Sequence, residues 1–452
     1  MKTHQIQLSL DLLRRLLMDR KGAIVPLFGI MVILLIVIAG AAVDVSRTVN
    51  AREKLSYALD AAALSVAAEL STTIMTNDEV EQALSASFQV NLSEAGFLDD
   101  ALTNLDFEVD SEQGIIFVSS HATLDNYFID FGGYLMENLG PETFAFGTNS
   151  QVSYSRYNVE MALVVDVTGS MSDEINDLKD ASEAVVDILI PDGTIDGKVE
   201  ISLVPYSVGV NLGDYAEIAT ANLSSRCATE RDGYEKYSDA SYSVEAMGDG
   251  SGTFRSQNCS DSEIQPLTDS RTVLMDSINA LETDGYTAGH TGIGWGWYTL
   301  APDWDNLWPM DSAPAPYTDD EVLKFALIMT DGDFNTHYEQ ETLTESQCNT
   351  KVSNDEYTGS CLSGTNDYWI EYSEWGFYGE SSQRAITLCD EMRARDIEIY
   401  TVFFGSNNDS GGAMVMQACA DDGNYYQASS SSDLVGAFAN IAKKIQQIYL
   451  SK

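Results

Sequence analysis

The feature that most constrains this chain is the stretch Ala23 to Val43, AIVPLFGIMVILLIVIAGAAV, twenty-one residues without a charge. As a helix it rises roughly 31 Å, enough to cross the hydrocarbon core of a bilayer. Pro26 falls in the first turn, where a missing N–H does least harm. Lys2, Arg14, Arg15, Arg20 and Lys21 precede the run, and Arg47, Arg52 and Lys54 follow it. That bias sets the N-terminus in the cytoplasm and the bulk of the chain outside. A cleaved secretory signal is the rival reading, because small residues cluster from Ala39 to Ala42. Against cleavage, the run is long for a signal core and a helical pattern continues beyond it. Leu55, Leu59, Ala62, Val66 and Leu70 recur at three-to-four spacing in an Ala-rich segment. The expectation is one helix that spans and then projects as a stalk, over roughly Val25 to Leu70.

Beyond the stalk the chain is long enough for two or three packed domains, with 452 residues of which 44% are hydrophobic. Asp plus Glu number 70 against 24 Lys plus Arg, a net charge of −46. So acidic a surface repels phosphate backbones, which argues against nucleic-acid binding. It favours solubility in a salty medium, and it also attracts divalent cations. All six cysteines lie after residue 220, and none forms a CxxC pair. Paired-knuckle zinc sites are therefore not indicated. An even count beyond a membrane segment points to disulfides in an oxidising compartment. Fifteen pairings are possible. Proximity in sequence suggests Cys227–Cys259, Cys348–Cys361 and Cys389–Cys419, with buried free thiols as the alternative.

Residues 1–22 read as a basic cytoplasmic segment, 23–43 as the transmembrane helix, 44–75 as the stalk, and 76–157 as a small α+β module. In that module Asn77 caps a helix through Val80, Leu84 and Phe88. Leu105–Val109 and Ile115–Ser119 form a hairpin, a short helix follows near Phe128–Glu137, and Val152–Tyr154 is a last strand. From residue 158 to 452 short apolar strands alternate with amphipathic helices. Strands are expected at Val159–Val165, Val199–Val204, Phe325–Met329 and Ile397–Phe404. Helices are expected through Ile175, Leu178, Ala181, Val185 and Ile188, stopping before Pro191, through Leu388 and Met392, and from Leu434 to Ile448 with Ser432 or Asp433 as cap. This alternation is the α/β signature of a doubly wound, mainly parallel sheet. Polar stretches near 206–270, 301–320 and 334–378 read as surface insertions pinned by disulfides.

In open parallel sheets, ligands collect outside the carboxyl ends of the strands. Three polar clusters fall there. Asp166-Val167-Thr168-Gly169-Ser170 follows the first strand, and Thr330-Asp331-Gly332 follows the third. Thr287 opens the glycine-rich stretch TAGHTGIGWGW. Two carboxylates and three hydroxyls form an all-oxygen set that suits Mg²⁺, with Mn²⁺ or Ca²⁺ next, and not zinc. With few charged ligands the ion stays electrophilic, open to a carboxylate from a partner. The bland reading treats the same residues as helix caps and turn formers that bind no metal. Asp333 is read as a solvated loop acid, not as the ligand of a second cation.

These motifs resemble the metal-ion-dependent adhesion site of von Willebrand factor type A (VWA) domains, with Thr168 where Ser is usual. The resemblance implies ligation by the hydroxyls of Thr168, Ser170 and Thr287, and by Asp166 and Asp331 directly or through water. Thr287 rests on its place five residues before Gly292, and Thr291 is the fallback. The basic start with RKG, the single apolar helix, the DAAAL continuation and a C-terminal VWA domain together resemble TadG-like pilus-assembly proteins of the bacterial tight-adherence (Flp pilus) system. The resemblance implies an inner-membrane, outward-facing protein. It would act in pilus assembly or adhesion, partnered by pilus subunits, other assembly proteins or a surface ligand. Leu27 stands five residues after Gly22, where processed pilin-like segments usually carry Glu, so a retained anchor is expected. A structural scaffold with a metal-free domain is the alternative. A hydrolase is the least favoured reading: the chain has no HExxH and no GxSxG, and His290 near Thr287 is the only hint of acid–base chemistry.

Overall fold

The fold is that of a computed structural model, described for all residues except 1–23, 71–74, 94, 111–113, 130–140, 155–156, 193–198, 221–225, 249–258 and 452. The chain divides into two compact units. One comprises residues 1–69, 78–110 and 115–154, and the other 70–77, 111–114 and 155–452.

In the first unit a single helix, α1 (Ile24–Leu70), carries both the apolar run and its continuation without a break. Its first half exposes large apolar side chains, whereas Leu55, Leu59, Ala62, Val66 and Leu70 of the second half are buried. The three-to-four spacing thus marks the buried stripe, as expected for an amphipathic helix. Helix α2 (Asn77–Leu92) buries Val80, Leu84, Phe88 and Leu92, again at helical spacing. After the short α3 (Leu98–Thr103) come β1 (Asp106–Asp110), β2 (Ile115–Asp125) and β3 (Thr143–Ser153), an antiparallel sheet in that order. The last strand is longer than the three residues read from sequence. The helix expected near Phe128–Glu137 falls largely outside the described residues.

The second unit is built on an eight-stranded sheet. Its elements are β4 (Asn158–Asp166), α4 (Ile175–Leu189), β5 (Val199–Tyr206), β6 (Val210–Asn211), β7 (Cys227–Ala228), β8 (Gln265–Thr268), α5 (Arg271–Asn279), α6 (Gly289–Leu300) and β9 (Val322–Thr330), followed by β10 (Thr336–Thr344), α7 (Glu345–Ser353), β11 (Thr365–Ser373), α8 (Glu380–Arg393), β12 (Ile397–Phe404), α9 (Gly411–Cys419), β13 (Tyr425–Ala428) and α10 (Ser431–Ser451). The order is β13-β12-β9-β4-β5-β6-β7, with β8 paired to β5. Strands β13, β12, β9, β4 and β5 run parallel, whereas β6, β7 and β8 extend the edge antiparallel. That edge comes from the 206–270 stretch, which is therefore part of the sheet and not only a surface insertion. Likewise 334–378 is not plain loop: β10 and β11 pair antiparallel over nine residues each.

Strand side chains alternate between faces, and both faces are covered. Val159, Met161, Leu163 and Val165 of β4 enter one core with α4, α5 and α10. Ala162 and Val164 enter the other with α6, α8 and α9. Helix α6 lies very close to the sheet because it has no side chain at two contact points. A Cβ on Gly296 would stand 2.4 Å from Val164 Cγ2, and one on Gly292 2.4 Å from the Tyr206 ring. One charged pair interrupts the sheet: Glu160 on β4 and Lys324 on β9, both buried and in direct contact. Lys324 Nζ also donates to Leu300 O at 3.0 Å. The disulfides are Cys227–Cys259, Cys348–Cys361 and Cys389–Cys419, the pairing that sequence proximity suggested. Helix α10 starts at Ser431, and Ser430 stands at its cap with its Oγ accepting the Asp433 N–H at 3.3 Å. Neither Ser432 nor Asp433, expected there, is the cap.

Candidate metal centre

Strand β4 is flanked by β5 on one side and β9 on the other. The chain leaves β4 toward β5 and later returns to β9, so the carboxyl ends of β4 and β9 bracket a topological switch point. Such a crevice is where open α/β sheets place ligands. Asp166 closes β4 and Thr330 closes β9, and the two strands are paired in register up to Val165 and Met329. Asp166 and Asp331 therefore emerge side by side at one end of the sheet.

Asp166 is fully buried, and three donors surround its carboxylate. Oδ1 accepts the Thr168 N–H at 2.9 Å. Oδ2 accepts Thr330 Oγ1 at 2.7 Å and, more distantly, the Tyr206 hydroxyl at 3.4 Å. The Tyr206 hydroxyl also reaches Met329 O at 3.0 Å. The hydroxyls expected as ligands form a chain of their own. Thr168 Oγ1 and Ser170 Oγ share a hydrogen bond of 2.9 Å, and Ser170 Oγ donates to Asp331 Oδ1 at 2.8 Å. Burial raises the Asp166 carboxyl above its usual range, and hydrogen bonds from Thr168 and Thr330 counter this. Burial, then the neighbouring Asp166 charge, push Asp331 up to about 7. Two desolvated carboxylates side by side are costly unless a proton or a cation separates them.

Thr287 lies on the adjoining loop. Gly169 N–H donates to Gly285 O at 3.0 Å, and Asp284 N–H donates to Val167 O at 3.0 Å, so the second loop is laced to the first. Asn335 then ties it to the third. Its side-chain Oδ1 accepts Thr287 N–H at 3.1 Å, and its own N–H donates to Thr287 O at 2.9 Å. The fold thus joins Asp166, Thr168, Ser170 and Asp331 by direct hydrogen bonds and laces the loop that carries Thr287 to theirs. Thr291 stands elsewhere, in the first turn of α6, with its Oγ1 donating to Glu230 Oε2 at 2.8 Å. Asp333 is engaged too: its Oδ1 accepts the Gly412 N–H at 2.6 Å.

The donor chemistry fits a hard divalent cation. Asp166, Thr168, Ser170, Thr287 and Asp331 offer oxygen only, two of them carboxylates. Among the described residues no group of three or more His, Cys, Asp or Glu assembles as a metal site, so any cation here relies on hydroxyls. Thr330, Tyr206 and Asn335, which orient the carboxylate and the Thr287 loop, were not read from sequence. Thr330 carried a faint signal as the first residue of the TDG triplet. Tyr206 and Asn335 carried none, because their role comes from strand pairing and loop lacing.

His290 sits on α6, buried, with Nδ1 2.7 Å from Ser381 Oγ and Nε2 2.8 Å from Glu230 Oε1. The three residues resemble a nucleophile–base–acid relay on paper. However, Arg384 pairs with the same Glu230 oxygen at 3.4 Å, and the Tyr338 N–H donates to it at 2.6 Å. Although burial opposes it, His290 and then Arg384 hold the Glu230 carboxyl down at about 2. The adjacent cavity measures ≈ 10 Å³, room for at most one water and for no substrate. We read this cluster as a buried polar tie that fastens residues around 230 to α6 and α8.

These features define an α/β domain with a mainly parallel sheet, which in sequence follows a long apolar helix. Residues 22–69 match the family model described as putative Flp pilus-assembly TadE/G-like. No curated protein matches the sequence. Among solved structures, the vWF domain of the type V pili tip protein Mfa5 from Porphyromonas gingivalis is 13% identical, covers 65% of this chain and 97% of its own, and has a TM-score of 0.40. The pilus adhesin SpaC from Lactobacillus rhamnosus GG is 11% identical, with 76% and 34% covered and a TM-score of 0.37. The D319A mutant of the PilB minor pilin from Streptococcus sanguinis is 14% identical, with 77% and 79% covered and a TM-score of 0.35. Likenesses this slight carry no argument about function.

Proposed function

We propose that this protein is anchored in the bacterial inner membrane by Ala23–Val43, with its N-terminus cytoplasmic and its bulk outside, and that it serves Flp pilus assembly or adhesion as a binding protein and not as an enzyme. Its VWA-like domain holds Mg²⁺, or Mn²⁺ or Ca²⁺ in its place, through Asp166, Thr168, Ser170, Thr287 and Asp331. The bound ion supplies an electrophilic position that a carboxylate of a pilus subunit, an assembly protein or a surface ligand completes. The observation that carries this reading is the Thr168–Ser170–Asp331 chain of oxygens at the switch point, 2.9 and 2.8 Å apart, beside the fully buried Asp166. Side chains 161 positions apart in sequence meet there. Calorimetric titration of the detergent-solubilised full chain with Mg²⁺ tests it. Saturable binding that disappears in Asp331→Ala and Asp166→Ala is expected, and unchanged binding in both variants defeats the metal assignment.

A second reading has its own observation in favour. The oxygens already satisfy one another, and Thr330 and Thr168 already serve Asp166, so the domain also closes without an ion. In that case the protein is a scaffold whose helix and small module carry the interaction. Pilus formation by a strain that expresses the Asp166→Ala, Asp331→Ala double variant at normal level separates the two. Full piliation favours the scaffold, and loss favours the metal site.

A further inference from the structure

The apolar run of α1 ends at a charge that the fold hides. Asp44 is only 1% exposed, directly after twenty uncharged helical residues from Ile24 to Val43. Its carboxylate accepts three consecutive backbone N–H groups from the turn that follows β2: Tyr127 on Oδ1 at 3.1 Å, and Phe128 and Ile129 on Oδ2 at 2.7 and 2.8 Å. Arg47, one turn further along, brings Nη1 within 3.6 Å of Asp44 Oδ1 and donates to Asp125 O at 3.2 Å. Its guanidinium lies 3.7 Å over the Tyr127 ring. Phe128 rests on the other side, against Gly40. A Cβ at Gly40 would stand 2.6 Å from Phe128 Cβ, so this approach needs a glycine. The turn Asn126–Ile129 therefore clasps the helix at residues 40, 44 and 47.

The clasp uses its polar backbone inward and leaves its rings outward. Tyr127 is 65% exposed and Phe128 42% exposed. Next to them the helix itself presents an uninterrupted apolar surface, with Leu34, Val37 and Ile38 all more than half exposed. A carboxylate at the edge of a hydrocarbon layer is expensive unless every lone pair is engaged, and three N–H donors and an arginine engage Asp44. The twenty residues before Asp44 rise about 30 Å, the thickness of a hydrocarbon core. Phe128 stands level with Gly40, one turn inside that limit, and Tyr127 stands level with Arg47, one turn outside it.

We propose that the turn Asn126–Ile129 is an interfacial collar that rests on the outer leaflet. Phe128 enters the boundary between acyl chains and headgroups, and Tyr127 with Arg47 lies in the headgroup layer. Aromatic rings with one apolar and one polar side favour that depth, and arginine favours the headgroups next to it. The collar sets how far the helix sinks, and so fixes the height at which the first unit stands above the bilayer. The proposal rests on α1 crossing a membrane, and its test keeps the two apart.

All six cysteines are in disulfides, so an introduced cysteine is the sole free thiol. Phe128→Cys, Tyr127→Cys, Leu34→Cys and Tyr57→Cys, each in the full chain, would carry a nitroxide in vesicles of phosphatidylethanolamine and phosphatidylglycerol. Collision rates with oxygen, which prefers lipid, and with a water-soluble nickel chelate then report depth. Leu34 is expected deep, Tyr57 in water, and Phe128 oxygen-accessible with several-fold less nickel contact than Tyr57. Tyr127 is expected between Phe128 and Tyr57. A further change, Gly40→Leu, is expected to lift the Tyr127 label into water without moving Leu34. If Phe128 meets nickel as freely as Tyr57 while Leu34 stays deep, the collar is overturned and the crossing stands. If Leu34 also meets nickel freely, the crossing itself fails. If Phe128 is shielded from both reagents, a protein surface such as a second copy covers it, and the lipid assignment is wrong.

Discussion

At the scale of single residues, the candidate centre turns on a conflict between two acids. Asp331 is pushed up to about 7 by burial and by Asp166. A carboxyl raised in the fold binds a proton there that the unfolded chain, with an ordinary value near ~4, releases between those limits. Ion-free protein is therefore less stable at pH 7 than near pH 4, as far as this group is concerned. Asp331→Asn is expected to be more stable than the parent at pH 7 in chelator, with the advantage fading toward pH 4. Denaturant midpoints of both proteins across that window check it, and an advantage that grows as pH falls would refute the assignment. The two donors to Asp166 Oδ2 are expected to differ. Thr330→Val removes a 2.7 Å bond to a buried carboxylate and is expected to cost about 1–3 kcal/mol, whereas Tyr206→Phe removes a 3.4 Å contact to that carboxylate and a 3.0 Å bond to the neutral Met329 carbonyl and is expected to cost about 0.5–1.5 kcal/mol. Urea unfolding measures both.

The five proposed ligands were legible because each stands directly after an apolar strand or in a glycine-rich turn, positions that chain-local pattern reveals. Thr287 is read from its place before Gly292, but the partner that engages Thr291, the fallback, was not legible. That partner is Glu230, sixty-one residues from Thr291, which takes that hydroxyl for a buried network. Tyr206 and Asn335 escaped for the same reason: long-range register, not local sequence, aims them.

At the scale of elements, continuous apolar runs revealed the parallel strands, since a strand buried on both faces has no polar side to show. The β10–β11 ribbon was missed. Its strands THYEQETLT and TNDYWIEYS expose many positions, so they carry the polar composition of loops. Nor did the apolar reading of Val159–Val165 account for Glu160. That carboxyl is raised by burial and held by Lys324, which sits directly across the strand pair from it. Removing one partner of a buried pair leaves a bare charge, whereas replacing both does not. Lys324→Met is accordingly expected to cost about 3–5 kcal/mol. Adding Glu160→Gln should recover part of that loss in the same unfolding assay. A single variant as stable as the parent would show that the pair contributes nothing.

At the scale of the whole molecule, a net charge of −46 frames the proposed role. A carboxylate-bearing partner is repelled at long range by this protein, and salt screens that repulsion. Attraction must then come at contact, and the proposed cation at the switch point would supply it. The broad architecture followed from sequence: an apolar helix, a small α+β module and an α/β domain. The antiparallel edge formed by β6, β7 and β8 did not, because strands of two to four residues leave too little pattern to read.

The central claim is that a hard cation sits among Asp166, Thr168, Ser170, Thr287 and Asp331. Anomalous diffraction from crystals of the protein grown with Mn²⁺ addresses it without reference to any partner or activity. The expected result is one strong peak within bonding distance of the Ser170 and Thr168 hydroxyls and beside Asp331. A fully hydrogen-bonded Thr168–Ser170–Asp331 chain with no peak, at saturating Mn²⁺, would contradict it.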